Sequence, residues 1–139
     1  MIDKIYRTFI SVPVSKEIMS KKTMLYSTID SAKGNINWVK NNHLHLTIKY
    51  LGNTPESEFE KVIESIKSAT NQIPAFKLRI EKTGCFPAPE RPRVLWMGVG
   101  GALEPFKVLA SRIESNMEAL GFPVDARNYV PHITVAKIS

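Results

Sequence analysis

Two tetrapeptides of one form, His45-Leu46-Thr47-Ile48 and His132-Ile133-Thr134-Val135, stand 132 − 45 = 87 residues apart. Each lies in an apolar, β-branched stretch that reads as a strand. Side chains alternate between the faces of a strand, so each His shares a face with its own Thr. If the two strands lie side by side, two imidazoles and two hydroxyls converge. That set supplies one acid, one base and hydrogen-bond donors for an anionic substrate such as a phosphodiester. A lone strand histidine is ordinarily a structural residue. Here two of only three histidines repeat one pattern, Asn42-His43-Leu44 leading into the first and Tyr129-Val130-Pro131 into the second, which makes the functional reading the stronger.

The remaining elements follow from periodicity and from the residues that stop it. Ile5 to Val12 reads as a strand ending at Pro13, and Ser15 can cap a helix from Lys16 to Ala32 that Gly34 terminates. Trp38-Val39 is a short strand, and the first His-x-Thr strand runs from His43 to Leu51. Thr54 reads as the N-cap and Pro55 as the first position of a helix to Thr70, with Phe59, Val62, Ile63 and Ile66 on one face. Ala75 to Thr83 alternates Phe76, Leu78 and Ile80 with Lys77, Arg79 and Glu81, a half-buried strand. Pro87 to Pro92 is expected to be a loop into the strand Arg93 to Val99. Leu103 to Leu120 is a helix ended by Gly121, and the second His-x-Thr strand follows. In each half a helix and a connecting stretch lead into a His-x-Thr strand, so two similar halves are expected within one domain, 1–139.

Composition narrows the class. With 139 residues, 43% of them hydrophobic, the chain suits one domain with its own core. No segment approaches the apolar length of a membrane span, and Asp3, Lys4 and Arg7 do not form a signal-peptide pattern, so a cytoplasmic protein without membrane association is expected. The single Cys85 offers neither an internal disulfide nor a zinc knuckle and reads as a small buried residue, as Trp38 and Trp96 read as core. A net charge of +6 and a pI near 9.5 favour polyanionic partners, although the basic run Lys16 to Lys22 is the pattern of a solvated helix face.

The segment NHLHLTIKYLG from Asn42 to Gly52 resembles the first signature of the 2H phosphoesterase superfamily, and YVPHITVAK from Tyr129 to Lys137 resembles the second. GCFPAPERPRVLWMGV, from Gly84 to Val99, resembles the stretch between them in the bacterial and archaeal RNA 2′,3′-cyclic phosphodiesterases, also called 2′-5′ RNA ligases. Arg7-Thr8-Phe9-Ile10-Ser11-Val12-Pro13 matches the opening strand of that family, so the resemblance runs from about Tyr6 to Lys137. Two departures stand out. Lys137 replaces the usual Arg, keeping the charge but losing the planar donor fork, and the C-terminal helix and strands usual after the second motif are missing. Either the chain is a truncated form or something else covers the exposed sheet edge, and self-association through that edge or low stability is the expectation.

The same resemblance implies an α+β fold of two pseudo-symmetric lobes, each an antiparallel sheet with helices outside, and an active-site groove between them. It implies hydrolysis of RNA or nucleoside 2′,3′-cyclic phosphates without metal or other cofactor. His45 is then the proton donor to the leaving O3′, and His132 the acceptor that activates water. Histidine's ordinary pKa near 6.5 suits both roles, and such a pair gives a bell-shaped pH dependence. Thr47 and Thr134 hold the phosphoryl oxygens, with Arg7 and Lys137 as further cations, Tyr129 as a stacking surface, and Arg91 and Arg93 as candidate RNA contacts. Three alternatives stand beside this reading. The same site can run in reverse as a 2′-5′ RNA ligase, the chain can bind nucleotides or RNA without turnover, or His43, His45 and His132 can hold zinc.

Overall fold

The computed structural model describes residues 2–28, 35–88, 90–125 and 129–139. Its elements are β1 (Ile5–Pro13), α1 (Lys16–Thr28), β2 (Ile36–Trp38), β3 (His45–Pro55), α2 (Phe59–Thr70), β4 (Leu78–Ala88), β5 (Arg91–Gly101), α3 (Leu103–Ala119) and β6 (His132–Ile138). The strands form a two-stranded sheet, β1-β3, and a four-stranded sheet in the order β2-β6-β5-β4, so the chain is α+β. The part of the first helix expected beyond Thr28, and its stop at Gly34, lie outside the described residues. No described helix is long and apolar enough to cross a membrane.

The chain divides into two units. The first comprises residues 1–10, 48–78 and 101–130, the second residues 11–47, 79–100 and 131–139. In the first, α2 packs on α3, and Val62, Ala69, Phe106, Ile113 and Met117 are buried. Polar ties fix the two helices, since Asn116 Nδ2 donates to the Ser65 carbonyl at 3.0 Å and Arg112 to the Asn71 carbonyl at 2.9 Å. Helix α3 stops as its sequence predicts. Gly121 takes φ 98°, and the Phe122 and Gly121 amides return to the Met117 and Glu118 carbonyls, which closes the last turn.

The start of α2 differs from the sequence reading. Strand β3 continues to Pro55, a short 3-10 turn spans Glu56–Glu58, and only then does α2 begin. Thr54 is not a helix cap. It is 1% exposed, and its hydroxyl meets that of Thr8 at 2.6 Å, so the tertiary pairing with β1 claims the side chain that local chemistry assigns to the helix. The capping task at this turn passes to Asp3, whose carboxylate accepts from the Ser57 amide and hydroxyl.

In the second unit β6 is a central strand, antiparallel to β2 on one edge and to β5 on the other. Met97, Ile133, Val135 and Ala136 are at most 1% exposed. The proline-rich segment is less of a loop than its composition predicts, because β4 extends to Ala88 and β5 resumes at Arg91. Pro87 is tolerated because β4 is an edge strand, where a missing N–H need not break a ladder, and Pro92 precedes the β5 residues that pair with β6 from Val94 onward. Cys85 is half-buried rather than buried.

Candidate active site

The two His-x-Thr strands expose their residues identically. From His45 to Tyr50 and from His132 to Lys137 the order is half-buried, buried, half-buried, buried, buried, exposed. Leu46 and Ile48 in β3, and Ile133 and Val135 in β6, turn inward, so the imidazoles and threonine hydroxyls are left on the accessible face. Burying a Leu or Ile contributes about 1.5–3 kcal/mol, and slipping either strand by one residue would exchange that gain for a buried imidazole. The apolar residues thus hold the polar ones in place.

His45 to Thr47 and His132 to Val135 fall in the second unit, while Ile48 and the rest of β3 fall in the first; β3 pairs with β1, and β6 lies in the four-stranded sheet, so the two motifs stand on different sheets. Local pattern carries no information about which sheet a strand joins. Lys137 is also in the second unit, exposed on β6 opposite Val94 and Asn37. Arg7 is exposed on β1 and, like Tyr129, belongs to the first unit. Arg91 and Arg93 are exposed on β5.

The His45 ring is oriented by its own backbone. Nδ1 lies 2.7 Å from the His43 carbonyl oxygen, and a carbonyl only accepts, so Nδ1 carries a hydrogen and proton exchange falls to Nε2. The His132 ring is flanked by aromatics. Phe86 stands edge-to-face to it at 5.3 Å and 82°, and Trp96 lies at 6.3 Å and 62°. Sequence reading did not single out Phe86 and assigned Trp96 to the core. The available signal was Gly98, two residues after that tryptophan, since a glycine inside a strand marks a close approach. Among the described residues, no three His, Cys, Asp or Glu side chains gather to hold a metal, and His43 lies in a 3-10 turn before β3.

Two further groups shape the first unit. Lys49, two residues beyond Thr47 and 6% exposed, donates to Glu114 Oε1 at 2.6 Å and to the Pro123 carbonyl at 2.9 Å. Glu114 also accepts from the Asp125 amide, so one carboxylate joins β3, α3 and the following loop. The pair borders a cavity of about 380 Å³ that Tyr129 also lines.

Tyr129 stacks on Phe106 at 6.0 Å and 25°, and burial pushes its phenol up to about 12. The neutral form is the one the fold favours. Its stabilisation is therefore complete below about pH 10 and is lost as pH rises towards 12. An absorbance titration is expected to show one phenol ionising late, absent in Tyr129→Phe. A Tyr129→Phe titration superimposing on the wild type would refute this.

Residues 12–96 match the family described as LigT like Phosphoesterase. A protein of Aquifex aeolicus named RNA 2′,3′-cyclic phosphodiesterase is 29% identical over 136 residues, spanning 97% of this chain and 72% of the relative. The Archaeoglobus fulgidus protein of the same name is 30% identical over 132 residues, or 95% of this chain and 72% of its own length. The crystal structure of a Thermus thermophilus protein aligns with a TM-score of 0.80 at 26% identity, covering 96% of this chain and 74% of that one.

Proposed function

The chain belongs to the LigT-like phosphoesterase family, and from that premise we propose that it is an RNA 2′,3′-cyclic phosphodiesterase working through His45, His132, Thr47 and Thr134. The observation that carries this reading is the identical exposure of the two motifs, each presenting one imidazole and one hydroxyl from the accessible face of its strand.

In the reaction, His132 takes a proton from water as the water oxygen bonds to phosphorus. The P–O3′ bond breaks, and His45 delivers its Nε2 proton to the departing O3′. The products are a 2′-phosphomonoester and a 3′-hydroxyl, with no metal in either step. Paired transfer of this kind is worth on the order of 10²–10⁴-fold. The threonine hydroxyls donate to the non-bridging oxygens, whose charge must be held in the transition state. Exposed Lys137, on the same strand as His132, adds positive charge for the phosphate, and the net charge of +6 favours an RNA or nucleotide end over a neutral substrate.

Incubation with nucleoside 2′,3′-cyclic phosphates in EDTA tests the scheme. The expected product is the 2′-phosphate alone, at a rate unchanged by the chelator. Formation of the 3′-phosphate would reverse the assigned leaving group, and loss of activity in EDTA would remove the metal-free mechanism.

A further inference from the structure

A hydrogen bond to a backbone carbonyl orients His45, and two aromatic rings bound His132. Those rings also contact each other, Phe86 and Trp96 lying 5.2 Å apart at 31°. The three rings therefore form a closed triangle within the second unit.

The backbone around the triangle is shaped for it. In the β5–β6 ladder Trp96 pairs with Thr134 and Gly98 with His132, which puts the indole on the motif's own face. The ladder shifts register between Leu95 and Trp96, where Val135 of β6 is passed over. Gly98 leaves the place opposite His132 without a side chain, and a Cβ there would stand 3.3 Å from the indole edge. Gly84, on the neighbouring strand β4, gives the indole its seat, since a Cβ on that residue would overlap the six-membered ring of Trp96. Phe86, two residues further along β4, therefore lies on the same side as Gly84 and reaches His132.

We propose that Phe86 is a positioning residue for His132: braced by Trp96 on its glycine seat, it holds the imidazole in the one orientation from which it accepts a proton from water. The proposal rests on the role given to His132 above. The torsion of a histidine ring about Cβ–Cγ is broad and roughly two-fold, so an imidazole without lateral contacts samples orientations that present different atoms. Edge-to-face packing restricts that rotation, because the positive edge of one ring prefers the negative face of the other. Misplacing a proton-transfer group by a fraction of its hydrogen-bond length costs on the order of 10–100-fold in turnover.

The test pairs spectroscopy without substrate and kinetics with it. In protein labelled at histidine, the His132 ring resonances should carry a ring-current displacement that Phe86→Leu largely removes and Phe86→Tyr retains. With a nucleoside 2′,3′-cyclic phosphate as substrate, Phe86→Leu should lower kcat about 10-fold or more with KM within twofold, and Phe86→Tyr should restore it. Gly84→Ala, which displaces Trp96 without touching Phe86, should show the same split. Unchanged His132 resonances in Phe86→Leu would overturn the proposal. So would a rise in KM at constant kcat, which would make Phe86 a substrate contact. Were the wild type to turn over no cyclic phosphate, the proposed reaction would fail, and the resonances alone would still decide whether Phe86 orients the ring.

Discussion

Replacing His45 or His132 with Ala is expected to lower kcat by about 10²–10⁴-fold for each, with the fold retained. Both rings are half-buried on the accessible face of their strands, and the inward residues Leu46, Ile48, Ile133 and Val135 are untouched by either change. Because both proton transfers belong to one transition state, the double variant should be little worse than the poorer single one. Thr47→Val and Thr134→Val should each cost less, since the other hydroxyl still meets the phosphoryl oxygens. Steady-state kinetics on a nucleoside 2′,3′-cyclic phosphate measures all of these. Near wild-type turnover in either single histidine variant would sink the two-histidine mechanism.

The largest expected effect on stability is at Glu114. Removing it leaves the Lys49 ammonium, 4% exposed at its side chain, without its anion. Breaking a buried pair from one side costs about 3–5 kcal/mol, and the 30% exposure of the Glu114 side chain puts Glu114→Ala near 3 kcal/mol because water reaches its end of the pair. For a chain of this length that is a fall in Tm of about 10 °C. Lys49→Met combined with Glu114→Leu should recover most of the loss, since neither charge then needs burying. Thermal unfolding followed by circular dichroism decides the matter. A Glu114→Ala protein melting within a degree or two of wild type would mean that the Pro123 carbonyl satisfies Lys49 on its own.

Lys49 also marks where local reasoning stops. It reads as one more residue of an apolar strand, and its partner is 65 positions away, so nothing in the neighbouring sequence announces a buried ion pair. Thr54 fails for the opposite reason. Its local signal for a helix start is strong, but a hydroxyl 46 positions earlier competes for the same side chain and wins, because β1 lies beside β3. Helix α3 needed no such help. Its apolar spacing and the glycine at its end are both local, and the observed bounds differ from the expected ones by one residue.

The His-x-Thr strands show the same division. Alternation has a period of two residues, so four letters were enough to put each imidazole beside its hydroxyl on the accessible face, and both strands are found that way. That much the amino-acid order determined alone. Sheet membership and the contact of His132 with Phe86 and Trp96 were decided only by the tertiary structure. Those contacts join segments far apart in the chain, and which distant segments meet depends on how the whole chain buries its apolar surface, a property no short window of sequence contains.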